Sequence, residues 1–128
     1  MPTVIQTVTI DCADVARVGN FWAEVLGYVE DPDDPNLPGD PAWLLTPPDG
    51  NGAVLLFLPV PDEKVVKNRL HLDLRPDGPR DVEVERVLAL GATMVDDQRR
   101  PDGAGWAVLA DPEGNEFCIV RSAAERTD

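Results

Sequence analysis

Asn68-Arg69-Leu70-His71-Leu72-Asp73-Leu74-Arg75 lies at the middle of a 128-residue chain and carries its only histidine. Leu70, Leu72 and Leu74 alternate with His71, Asp73 and Arg75, the period-two pattern of a half-buried strand over residues 70–74. Successive side chains of a strand point to opposite faces, so the polar row is expected to project together into whatever space the sheet encloses. A functional site is expected on that face.

Working outward from this stretch, the chain repeats itself. Displaced by 64 residues, half its length, Thr7 falls on His71, Val18 on Val82, Leu26 on Leu90, Gly27 on Gly91, Pro48 on Pro112, and Asp49-Gly50-Asn51 on Glu113-Gly114-Asn115. Such self-similarity points to two copies of one structural unit. In the first copy, residues 4–12 alternate as a strand, and Asp14 can cap a helix running to Gly27. That helix carries an apolar stripe of Val15, Val18, Trp22, Val25 and Leu26. Asp31-Pro-Asp-Asp-Pro-Asn-Leu-Pro-Gly-Asp-Pro41 is too rich in proline for regular structure and is expected to be an extended surface loop. Tyr28-Val29-Glu30 follows the helix, residues 43–46 and 53–58 form strands about the 47–52 turn, and the order is read as β-α-β-β-β.

The second copy follows the same grammar. After the strand at 70–74, Pro79 takes the first position of a helix facing inward through Val84, Val87 and Leu88 and ending at Gly91. Strands follow at 92–95, 106–110 and 116–120, with a flexible loop at 96–105. Asp111-Pro-Glu-Gly-Asn115 is a turn signal, and residues 122–128 are expected to fray. The whole is one domain over residues 1–128: module one at 1–58, a linker at 59–67, module two at 68–122 and a tail at 123–128.

A formal charge of -13, from 24 acidic against 11 basic side chains, repels phosphate backbones and anionic lipid. Nucleic acid and membrane partners are therefore not expected. The N-terminus has no basic and apolar leader, and no segment approaches a membrane span, so the protein is expected to be soluble and cytoplasmic. Cys12 and Cys118 are far apart in sequence and are expected to be reduced thiols.

Phe21-Trp-Ala-Glu-Val-Leu-Gly27, Lys67-Asn-Arg-Leu-His-Leu-Asp-Leu74 and Asp111-Pro-Glu-Gly-Asn-Glu-Phe117, in that order and spacing, resemble the glyoxalase/bleomycin-resistance/extradiol-dioxygenase group of vicinal oxygen chelate proteins, in particular its small glyoxalase-like domains. The resemblance covers nearly the whole chain. It implies an α+β fold of two βαβββ modules, their strands forming a curved, half-open mixed sheet around a cavity with helices on the outer face, commonly in a homodimer.

The resemblance also implies a divalent metal held by four ligands, one from the first and last strands of each module. Carried over position by position, the first ligand falls on Thr7 and the second among the apolar Val54, Leu56 and Leu58. The third falls on His71 and the fourth on Cys118 in place of a glutamate, a thiol suiting zinc better than magnesium or manganese. With two positions lost, no metal and no other cofactor is expected; if an ion is held, His71 and Cys118 hold it. A shifted site drawing on Asp11, Asp73 and Glu116 beside His71 is the alternative.

The expected ligand-binding set is Thr7, Thr9, Asp11, Leu56, Leu58, His71, Asp73, Trp106, Glu116 and Cys118, with His71 and Asp73 the candidates for general acid/base work. Cys118 as a nucleophile would require His71 beside it. Three functions follow. The expected one is a binding protein that holds a small organic molecule without the family's metal. The alternatives are a metal-dependent lyase, isomerase or dioxygenase, and a protein-interaction domain with a vestigial cavity.

Overall fold

The computed structural model describes residues 2–126, and the chain divides into two compact units, Met1–Glu63 and Lys64–Asp128. The fold is α+β, with a three-stranded sheet in the first unit and a four-stranded sheet in the second. No helix of the described residues is long and apolar enough to cross a membrane.

The first unit runs β1 (Thr7–Cys12), α1 (Val15–Leu26), β2 (Trp43–Leu45) and β3 (Val54–Pro59). β1 pairs in parallel with β3, and β2 pairs antiparallel on the other side, in the order β1-β3-β2. The expected strand at 4–12 begins only at Thr7, because the first partner on β3 is Val54; Val4 and Ile5 are exposed. Asp14 caps α1 by accepting from the Arg17 N–H at 3.1 Å, and Gly27 ends it in the left-handed region at φ 68°. Val15, Val18, Trp22 and Val25 are buried along the helix, and on the sheet Trp43, Leu45, Leu55 and Phe57 are buried in register. Gly19 is buried on α1 directly against the Trp43 indole, which leaves no space for a Cβ. Close packing of a helix backbone on an aromatic ring outweighs glycine's cost inside a helix.

The 31–41 loop has an internal anchor. Asn36 donates from Nδ2 to the Leu44 carbonyl at 2.8 Å and accepts the Leu44 N–H at 3.0 Å, so its amide stands in for a neighbouring strand beside β2. Val29 makes a paired bridge with Thr46, and this single bridge occupies the place of the module's remaining strand.

The second unit runs β4 (Leu72–Leu74), α2 (Arg80–Ala89), β5 (Thr93–Asp97), β6 (Ala107–Ala110) and β7 (Glu116–Ile119). Its order is β4-β7-β6-β5, with β4 parallel to β7 and the other pairs antiparallel. This matches β1-β3-β2 followed by the Val29 bridge, so both units share one pairing plan, as the 64-residue offset requires. Phe117, Ile119, Leu109, Ala107, Val84 and Val87 are fully buried and form the core under α2.

Several expectations change here. The central strand is shorter than 70–74: Leu70 is 88% exposed and only Leu72, Asp73 and Leu74 pair with β7. The chain before it is held differently, since Asn68 donates its N–H to Glu116 Oε1 at 2.8 Å and accepts the Glu116 N–H at 3.1 Å. The 96–105 loop is not loose: β5 extends to Asp97, and beyond it Gln98 N–H bonds Trp106 O, Arg100 N–H bonds Ala104 O and Gly103 N–H bonds Arg100 O. Gly105, at φ 90°, abuts the Gln98 carbonyl, where a side chain would collide. Arg80, 4% exposed, closes this loop by donating from Nη1 to the carbonyls of Gly103, Ala104 and Gly105 at 2.9–3.1 Å.

The tail is also tied down through Arg126; Thr127 and Asp128, part of the expected fraying segment, lie outside the described residues. Pro79 sits at the cap position of α2 rather than inside it and offers no side-chain bond. Glu125 supplies the acceptor instead, taking the Arg80 N–H at 2.8 Å together with the N–H and hydroxyl of buried Ser122. These bonds hold the Glu125 carboxyl below its ordinary value of 4.5, the Ser122 N–H first and the Arg80 N–H next. A depressed carboxyl stabilises the fold fully above its unfolded pKa, and the contribution is lost as pH falls through the lower folded value. Glu125→Ala is therefore expected to cost about 1 kcal/mol at neutral pH, the usual worth of a helix cap. In urea melts that penalty should shrink once pH falls below 4.5. An equal penalty in strong acid would contradict the assignment.

Candidate functional site

The register of the second sheet lines up one side chain from each of its four strands. Asp73 on β4 pairs with Cys118 on β7, Cys118 with Val108 on β6, and Val108 with Asp96 on β5. Directly paired residues share a face, and all four of these line a pocket of about 570 Å³. His71, Trp106, Glu116, Lys67, Val95 and Val120 complete its wall. On β6 and β7 the opposite face carries the buried Ala107, Leu109, Phe117 and Ile119, so along these two strands alternation divides core from pocket.

His71 lies one residue before β4 and two before Asp73, which keeps both on the pocket side. His71 Nε2 stands 3.4 Å from Asp73 Oδ1, the side chains being 44% and 61% exposed. Cys118 is 5% exposed and closes the floor. Burial pushes its thiol up to about 11, helped by the Asp73 carboxylate beside it. A thiol so raised is a poor nucleophile near neutral pH, which removes the support for Cys118 as an attacking group. Trp106, 41% exposed, presents its indole at the rim.

Glu116 lines the pocket with its carboxylate already engaged. It accepts the Asn68 N–H and lies 3.6 Å from Lys67 Nζ and 4.0 Å from Lys64 Nζ. The Asn68 bond and, after it, the two lysines lower its pKa. It fastens the segment before His71 onto β7 rather than standing ready for a ligand. Asp111 does comparable work at the preceding turn, accepting from the N–H groups of Glu113 and Asn115 and from the Asn115 amide, which bears out the Asp-Pro-Glu-Gly-Asn turn.

The remaining expected residues belong to the first unit. Thr7 pairs with Val54, Thr9 with Leu56 and Asp11 with Leu58, so they share one face of that sheet, with Thr9 and Asp11 exposed. Cys12, on the opposite parity, is buried with its thiol 3.9 Å from the Leu58 carbonyl. Both cysteines are thiols. Trp43 packs on α1.

Five lining residues escaped the sequence reading: Lys67, Val95, Asp96, Val108 and Val120. Val108 and Val120 were within reach, since each lies two residues along a strand from an expected lining residue, Trp106 or Cys118. Val95 and Asp96 were not. The ladder slips between Met94 and Asp96, and such a bulge breaks the alternation that would assign adjacent residues to faces.

The four-donor metal set does not fit this chain. Thr7 offers a hydroxyl, and Val54, Leu56 and Leu58 offer hydrocarbon, so these first-unit positions supply no charge to replace an ion's hydration. In the second unit one nitrogen of His71, one oxygen of Asp73 and the sulfur of Cys118 lie within 4.8 Å of one another. Of the shifted-site candidates, only Asp73 joins His71 in this group.

A glyoxalase-like domain model matches residues 7–120. Among solved structures, the chain is similar to a glyoxalase/bleomycin resistance protein/dioxygenase family enzyme from Burkholderia phytofirmans, at 21% identity and a TM-score of 0.67, over 89% of this chain and 94% of that one. It is also similar to the fosfomycin resistance protein FosX from Mesorhizobium loti, at 18% identity and 0.68, over 98% of each chain. A FosX variant from Listeria monocytogenes, complexed with Mn(II) and 1S,2S-dihydroxypropylphosphonic acid, matches at 15% and 0.68, over 98% of this chain and 96% of that one. At such identities the likeness is one of fold. A search of curated proteins found no match.

Proposed function

Given that the chain belongs to the glyoxalase-like domain family, we propose that it binds a small organic molecule in the pocket of its second unit, without the four-donor ion of metal-dependent relatives. The observation that carries this reading is the row Asp73, Cys118, Val108 and Asp96, drawn from every strand of the sheet onto one concave face. A volume of about 570 Å³ lies within the roughly 300–1,000 Å³ of small-ligand sites. An apolar floor with a few polar groups at its edge suits a ligand that is mainly hydrocarbon or aromatic. Trp106 offers it a ring face, and His71 with Asp73 offers a donor and an acceptor.

The neutral dye N-phenyl-1-naphthylamine tests this, with EDTA present throughout. One dye per chain is expected to bind with enhanced fluorescence, and Val108→Trp, which fills the floor of the pocket, is expected to abolish it. Dye bound equally by Val108→Trp would overturn the reading. A second reading, an enzyme of the lyase, isomerase or dioxygenase type, draws on the His71, Asp73 and Cys118 group and would show turnover dependent on added metal.

A further inference from the structure

We propose that His71, Asp73 and Cys118 form a three-donor site for Zn²⁺ contained wholly within the second unit, in place of a four-donor centre shared between modules. The proposal uses the pocket described above but does not depend on an organic ligand.

Geometry is the first support. Asp73 and Cys118 are direct partners across the parallel β4–β7 pair, and His71 lies two residues from Asp73 on the same side. Three donors therefore converge from two adjacent strands. Zinc holds nitrogen and oxygen at about 2.0–2.2 Å and sulfur at about 2.3 Å, which places tetrahedral donors roughly 3.3–3.8 Å apart. His71 Nε2 and Asp73 Oδ1, at 3.4 Å, already have that spacing. The third donor lies within 4.8 Å of both, and the part-exposed His71 and Asp73 side chains can turn to close the difference.

Chemistry selects the ion. A nitrogen, an oxygen and a thiolate sulfur together favour zinc over magnesium, calcium or manganese, which prefer oxygen. A thiolate and a carboxylate side by side supply two negative charges, matching the ion's charge on binding. Three protein donors leave the fourth tetrahedral position directed toward the pocket, as in zinc sites that take an exogenous ligand. Asp73 is what makes the set sufficient, since His71 and Cys118 alone would hold the ion by two donors. Glu116, though close by, is already bonded to Asn68 and its lysines and is not assigned a role.

Chelator-stripped full-length protein is titrated with Zn²⁺ by calorimetry and, separately, with Co²⁺ by absorption. About one equivalent of Zn²⁺ is expected per chain. Co²⁺ is expected to give tetrahedral visible bands and a near-ultraviolet thiolate-to-metal transition. Cys118→Ser should remove that transition. Because Cys118 is buried, the surface substitutions His71→Ala and Asp73→Asn serve as independent tests, each abolishing stoichiometric uptake while circular dichroism stays unchanged. Absence of Zn²⁺ uptake, Co²⁺ binding without the thiolate band, or uptake indifferent to His71→Ala and Asp73→Asn would overturn the proposal. Dye binding in EDTA reports on the organic-ligand reading separately, so either can fail alone.

Discussion

Trp22→Ala is expected to remove about 3–5 kcal/mol of stability, the range for deleting a large aromatic from a packed core. Trp22 is 2% exposed on the buried side of α1, and its ring meets Phe21 edge-on at 5.6 Å and 88°. Truncation loses the transfer free energy of the indole and leaves a cavity that neighbours fixed to a three-stranded sheet can only partly fill. Against a total of about 5–15 kcal/mol for a natural domain, the loss is a large fraction. A urea midpoint lowered by about 2 M is the expected readout. A loss below about 1 kcal/mol would show that the ring is not enclosed as described.

Arg80→Met carries the second large effect, with a functional consequence. Methionine keeps much of the buried stem but removes every donor, leaving the carbonyls of Gly103, Ala104 and Gly105 without the guanidinium. Nε also loses Asp81, which Arg99 shares at 3.2 Å. The carbonyls of this part-buried loop lose their charged donor, a loss of about 1–3 kcal/mol. The bonds share one nitrogen and are not additive. Trp106 follows directly on this loop, so dye affinity should fall even where the variant remains folded. Faster amide exchange confined at first to residues 98–105 would identify the cause; unchanged exchange there with stability lost elsewhere would contradict it.

The helices and the repetition of one unit were legible because their signals are local. Asp14, the α1 stripe and Gly27 lie within one helix length, and the glycine-bearing turns recur at the repeat offset. The clamp on the 98–105 loop was not legible. Its glycines and charges match those of a mobile loop, and the arginine that binds its carbonyls lies on α2, more than twenty residues earlier. The tail failed for the same reason: Ser122 and Glu125 acquire meaning only when α2 presents the Arg80 N–H to them. His71 and Cys118 emerged by position, and Asp73 by alternation, but their closeness to one another required the β4–β7 register. Leu70 shows the converse, an apolar residue placed inside by alternation that the Asn68–Glu116 clamp leaves outside the strand.

Electron density in the second unit's pocket, from crystals of protein purified with chelator and without added ligand, tests the central claim most directly. The account predicts an ordered small organic molecule lying over Val108 and Cys118, against Trp106, with a polar atom in contact with His71 or Asp73. A pocket closed by its own side chains, with Trp106 folded onto Val108 and no room between the two, would contradict it.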